Sequence, residues 1–127
     1  MRNKKKNIVN FSNQDKRQDK NLLSLDFQKA ELFKTRFEFC NLNNLNFRAC
    51  KGMRTSFIKC NLQNANFTGA KLKKANFSGA DLKNANFTGA NIEGANFQDT
   101  LIDGAIFKNT NIKRAKNLKL LVNINEI

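Results

Sequence analysis

The sequence predicts a solenoid built from short stacked units, and three observations carry that expectation. Every fifth residue from Leu22 to Ile112 is large and apolar: eighteen of these nineteen positions hold Leu, Ile or Phe, and Gly52 is the exception. Two residues before each lies a second column that is mostly small. It runs through Ala30, Thr35, Cys40, Cys50, Thr55 and Cys60, then through an unbroken series of alanines from Ala65 to Ala95. The period of five fits neither the α-helix nor the β-strand, so no amphipathic helix or strand explains it. A unit this short buries its apolar face only by stacking on copies of itself.

The stretches Ala65-Asn66-Phe67-Thr68-Gly69, Ala80-Asp81-Leu82-Lys83-Asn84 and Ala90-Asn91-Ile92-Glu93-Gly94 sharpen this picture. They resemble the pentapeptide-repeat family, whose unit reads A(D/N)LxX, and the resemblance extends over residues 21–115. It implies an all-β chain folded as a right-handed quadrilateral β-helix with four pentapeptides per coil. Over this span it implies about five coils and a short C-terminal cap.

Residues 1–20 open the chain. They carry seven Lys or Arg and two Asp, and Ile8, Val9 and Phe11 are their main apolar handle. The expectation here is a disordered segment or a partial cap. Ile8-Val9-Asn10-Phe11 is too short and polar to be a signal core, and no apolar run of transmembrane length follows, so the chain is expected to be cytoplasmic.

In residues 21–115 the central position alternates between Phe and Leu/Ile, so side chains repeat every ten residues. Like stacks on like when a coil holds an even number of repeats. With four per coil, Phe27, Phe47, Phe67, Phe87 and Phe107 form one inward ladder, and Phe37, Phe57, Phe77 and Phe97 form the opposite one. Large central residues and the small column then interdigitate at core density. Gly69, Gly79, Gly89, Gly94 and Gly104 each follow a central residue by two places, where a tight corner favours positive φ. Asn precedes the central residue in ten of the nineteen repeats, a placement suited to amide ladders between coils. Gly52 leaves one central position without a side chain, and Met53 is the candidate to swing inward. The early repeats carry outward apolar residues: Leu23, Phe33, Phe39, Met53 and Ile58.

Residues 116–127 break the pattern, since Asn117 stands where a large apolar residue is due. The tail LKLLVNINEI is apolar enough to cover the last coil, with Leu118, Leu121, Val122 and Ile124 docking near Leu101 and Ile106. The resemblance also implies that this end can serve as a homodimer contact.

The charge is +13, and the chain contains no His. No Ser or Cys nucleophile stands beside a base, and the glycines recur at turn spacing and not as a nucleotide fingerprint. The expectation is a non-enzymatic module without cofactors. Cys40, Cys50 and Cys60 all fall in the small inward column, so they are read as core packing and not as metal ligands. The basic residues cluster: Lys34, Lys51, Arg54, Lys71, Lys73, Lys74, Lys113 and Arg114 belong to one of the four sides. They form the candidate anion-binding strip. The candidate protein-interaction residues are Phe33, Phe39, Met53 and Ile58. Three functions follow in order. The first is a scaffold for an unidentified protein partner. The second is a weak binder of nucleic acid or anionic lipid through the basic side. The third, implied by the resemblance, is topoisomerase modulation of the quinolone-resistance kind. That activity belongs to acidic rods shaped like duplex DNA, and +13 disfavours it.

Overall fold

The structure is a computed structural model and describes residues 7–118 and Leu121. Parallel bridges join residues twenty apart and fall into four columns. One runs Asn41–Asn61–Asp81–Leu101, the next Asn46–Asn66–Asn86–Ile106, the third Glu31–Lys51–Lys71–Asn91, and the fourth Arg36–Ser56–Asn76–Asn96–Lys116. The chain is therefore a four-sided β-helix of twenty-residue coils. Each side is a single bridge wide, because a corner follows every central residue.

At nearly every corner the amide of the fourth residue closes a turn, as Ala80 N–H does on the Phe77 carbonyl at 2.9 Å; the corner at Leu42–Leu45 is the exception. The third residue of every such turn from Lys29 to Asn109 is left-handed, with φ between 54° and 75°. Five of these seventeen residues are Gly, and the others include Asn44, Asn64, Asn84 and Asn109. None is β-branched, since a branched Cβ clashes in this region of backbone space.

The asparagines do different work from the amide ladders expected of them. The second residue of each turn has an N–H that points to no neighbouring coil, and where an Asn stands two places earlier its oxygen can accept it. Asn66 Oδ1 takes the Thr68 N–H at 2.9 Å, Asn76 the Ser78 N–H at 2.9 Å and Asn86 the Thr88 N–H at 2.9 Å. Asp81 does the same for Lys83 at 3.2 Å. These Asx-turns satisfy an otherwise orphaned donor.

The two Phe ladders fill the interior. Within a ladder the rings stack nearly parallel, with Phe57, Phe77 and Phe97 spaced 5.0 Å apart. Across the rod they meet edge to face, as Phe77 meets Phe67 at 5.6 Å and Phe87 at 5.5 Å. Both arrangements suit the ring quadrupole. Thr55 and Thr35, in the small column, satisfy their hydroxyls on the carbonyls of Leu32 (2.6 Å) and Phe11 (2.8 Å) in the preceding coil.

Two expectations are corrected. Met53 does not swing inward and remains exposed. The space over Gly52 is taken by Leu72 of the next coil, whose Cδ2 would lie 2.9 Å from a Cβ placed there. Residues 10–19 are not a disordered lead-in: Asn10 bridges Glu31 and Asp15 bridges Arg36, one residue out of the twenty-residue register. A 3-10 turn at Leu22–Ser24 lies where the surplus residue is accommodated. The shift sets Phe11 edge-on to Phe27 at 5.9 Å and places the Lys16 ammonium 4.1 Å from the Phe11 ring centre. The start of the chain is thereby folded onto the open end of the core.

At the other end Lys116 still bridges Asn96, after a second 3-10 turn at Ile112–Arg114. Asn117 is left-handed at φ 64°, and Leu118 is the residue that enters the core in its place. Leu101, Ile106 and Leu121 are exposed. Val122 and Ile124 lie outside the described residues.

Candidate functional site

The three thiols are buried and free. Cys60 Sγ donates to the Phe37 carbonyl at 3.0 Å, and Cys40 Sγ to the Lys16 carbonyl at 3.1 Å. Burial pushes the Cys50 and Cys60 thiols up to about 12, and Cys40, nearer the chain end, to about 11. A thiol so far from its thiolate is a poor nucleophile and ligand. No group of His, Cys, Asp and Glu suited to a metal occurs among the described residues.

The N-terminal end carries a hollow of about 710 Å³ lined by Asp15, Arg17, Gln18, Asp19, Glu38 and Phe39. Its carboxylates are internally compensated. Asp15 pairs with Arg17 at 2.6 Å, and the Arg17 hydrogen bonds hold its carboxyl well below the usual range. Glu38 pairs with Arg36 at 3.0 Å, which lowers its carboxyl as well.

Several of the basic candidates share one side of the coils. Bridges bring Lys51 under Lys71, and the Arg54 N–H donates to the Lys73 carbonyl at 3.0 Å. The corner next to them stacks Lys34, Arg54, Lys74 and Gly94 as successive left-handed residues, and the Gly94 N–H donates to the Arg114 carbonyl of the 3-10 turn beyond at 2.8 Å. The strip is uneven. Arg114 faces Glu93 at 3.6 Å, and Glu31 sits beneath Lys51. Between those acids, Lys51, Arg54, Lys71, Lys73 and Lys74 form a block within two adjacent coils. All five are exposed, and none makes an ion pair among the described residues.

The four apolar candidates divide into two pairs on adjacent corners. Phe33 and Met53 stack on the basic side, in the column that continues to Lys73, with the Lys34 ammonium 5.2 Å from the Phe33 ring centre. Phe39 is 69% exposed and lies one corner on, joined to Ile58 by its N–H on the Ile58 carbonyl. Ile58 is only half-exposed. The apolar and basic candidates therefore meet at Phe33, Met53 and Lys73, and Phe39 stands apart. Sequence reasoning passed over Lys116, which the last bridge brings alongside Asn96. Its signal was available: Lys116 lies twenty residues after Asn96, just past the point where the pattern seemed to stop.

The family model for pentapeptide repeats matches residues 30–69, 60–99 and 80–116, with eight copies. The chain is a pentapeptide-repeat protein. The quadrilateral β-helix expected from its repeats is the architecture of this family. It is similar to a pentapeptide repeat protein of the Arabidopsis thaliana thylakoid lumen, with 27% identity, a TM-score of 0.66, and coverage of 82% of this chain and 65% of that one. It also matches Rfr23 from the cyanobacterium Cyanothece 51142 at 29% identity, with a TM-score of 0.35 and coverage of 72% and 63%. QnrB1, a plasmid-mediated fluoroquinolone resistance protein, matches at 24% identity, with a TM-score of 0.36 and coverage of 84% and 64%. This pentapeptide-repeat protein spans just under two thirds of the length of these solved relatives. The comparison with curated proteins gives no match. Among the described residues, no helix is long and apolar enough to cross a membrane.

Proposed function

We propose that this pentapeptide-repeat protein is a non-enzymatic cytoplasmic scaffold that docks an acidic protein partner on its basic side. The observation that carries this reading is the block of five uncompensated cations set beside Phe33 and Met53. Such a face suits a partner surface with carboxylates around an apolar anchor, where charge gives orientation and on-rate and the apolar contact gives affinity. Titration with an acidic peptide bearing a central Leu or Phe tests it. Binding should fall when Phe33 and Met53 are changed to Ser, and also when Lys71 and Lys73 are reversed to Glu. If both double variants bind as the wild type does, the side is only a solvated face.

The same block supports a second reading, binding of nucleic acid or anionic vesicles without sequence preference. Phosphate contacts release counterions, so such binding would collapse with added salt and would ignore the Phe33 and Met53 changes. Topoisomerase modulation remains a third proposal, against the charge of +13, and a gyrase supercoiling assay decides it. Leu101, Ile106 and Leu121 leave an exposed apolar set at the C-terminal end, consistent with a second copy docking there. Light scattering of Leu101→Ser against the wild type tests that contact.

A further inference from the structure

We propose that the corner at Gly94 is a discrete binding site for a phosphate monoester dianion. It rests on the scaffold reading above and specifies it: the acidic partner would present a phosphorylated side chain at this point.

The site exists because one side chain is missing from a column of long ones. Lys34, Arg54 and Lys74 project from this corner in successive coils, Gly94 follows without a side chain, and its N–H donates to the Arg114 carbonyl in the turn beyond. The gap is an open hollow of about 310 Å³ lined by Arg54, Lys74, Lys116, Asn76 and Asn96 beside Gly94. That size is at the lower end of small-molecule sites. Other glycine corners do not match it. The slot over Gly79 is filled by three carbons of Lys59, and the slot over Gly104 is occupied by the Asn84 amide. Gly69 and Gly89 are open, but their immediate neighbours in the column are Ala49 and Asn109, and its one cation among these turn residues, Lys29, lies two coils before Gly69. Over Gly94 the nearest side-chain atom is the Lys74 Cγ, at 3.1 Å from where a Cβ would stand.

The lining is made of donors. Arg54, Lys74 and Lys116 stand in no ion pair among the described residues, and no carboxylate lines the hollow. The nearest acid in the sequence, Glu93, pairs with Arg114. The two asparagines already use their oxygens: Asn76 Oδ1 accepts the Ser78 N–H, and Asn96 Oδ1 accepts the Gln98 N–H and an Asn117 Nδ2 hydrogen. What remains for a ligand is their amide N–H groups. Three cations and two amide donors, with both Asn oxygens already engaged, complement an oxyanion that carries two charges and several acceptor oxygens. A phosphodiester has one charge and fewer free oxygens, so the monoester is the better match.

The test is a titration of the full chain, ¹⁵N-labelled, with inorganic phosphate, following the amides of Gly94, Asn96 and Lys116. Two variants address the site. Gly94→Asn fills the hollow without changing charge, and Asn is already left-handed at the same turn position at Asn44, Asn64, Asn84 and Asn109. Lys116→Gln removes one cation at the C-terminal edge. Saturable shifts centred on the hollow, weakened about tenfold by each variant, support the site. So does a weaker response to dimethyl phosphate. A phosphoserine peptide that binds more tightly than inorganic phosphate identifies the source as a protein. Equal response to free phosphate and peptide, both lost in Gly94→Asn, supports the site with a small phosphate as its ligand. The absence of saturable shifts overturns the proposal. Shifts spread over the basic side, indifferent to Gly94→Asn but lost in Lys71→Glu/Lys73→Glu, also overturn it and leave the scaffold reading standing.

Discussion

Phe77→Ala measures how much of this fold is carried by the ring ladders. The side chain is fully buried and touches four other rings: Phe57 and Phe97 at 5.0 Å above and below, Phe67 at 5.6 Å and Phe87 at 5.5 Å across the rod. Removing a buried Phe costs about 3–5 kcal/mol, and the cost rises when surroundings cannot close the void. Here they cannot, because the coil spacing is fixed on both sides by backbone bonds. Phe77 N–H donates to Asn96 O at 2.8 Å, and Phe57 N–H to Asn76 O at 2.7 Å. We expect about 5 kcal/mol. Phe107 is the internal control. It stacks only on Phe87, at 5.1 Å, and meets Phe97 edge-on at 5.9 Å. Each ring pair contributes about 0.5–1.5 kcal/mol beyond area burial, so Phe107→Ala should cost about 2 kcal/mol less than Phe77→Ala. Urea melts of both variants, with unchanged slope, give the comparison. A Phe77 loss below about 1 kcal/mol, or equal losses at the two sites, would refute the claim that two-sided stacking in a rigid frame sets the cost.

Other expectations follow from the same frame. Asn64 is left-handed at φ 61°, so Asn64→Gly should be close to neutral, whereas Asn64→Val should cost more than about 1–2 kcal/mol by thermal or chemical melt. The thiols of Cys50 and Cys60, pushed up to about 12, should react slowly with maleimide even in mildly alkaline buffer and fully once unfolded. Rapid native labelling would show the core to be open. Leu118→Ala should cost about 2–5 kcal/mol as a core truncation, although the residue lies outside the five-residue register. Leu121→Ala, at an exposed position, should change the melting midpoint little.

The period of five was enough to place the core, because each apolar residue in the register faces the axis and each coil is held by the next. Phe67 and Phe77 could be assigned to opposite ladders before any coordinates. What escaped the pattern did so for identifiable reasons. Phe11 and Lys16 belong to the coil stack but sit one residue out of register, and a period search has no means to anticipate a 3-10 turn that absorbs the difference. Met53 seemed free to fill the place of Gly52, yet in a closely stacked solenoid the space belongs to the coil above, through Leu72. The asparagines suggested ladders between coils because their column is continuous. The unmet need was local, an N–H at the second position of each turn. As for the candidate site, the stacking of Lys51 under Lys71 and of Arg54 beside Lys73 was legible from spacing alone. The hollow at Gly94 was not, since it arises from a missing side chain and from Lys116, which enters only after the repeat has faded.

The twenty-residue offset between bridged partners from Glu31 onward also shapes how the chain assembles and how it comes apart. Each coil closes a loop of the same modest length, so the entropic cost of adding one is nearly constant along the molecule. Growth can start on any well-formed coil and advance one turn at a time, as a zipper does. Pulled from its ends, such a chain has no single clasp that must break before the rest yields. It should release length in equal steps, one coil after another, with resistance greatest where the Phe rings are stacked on both sides.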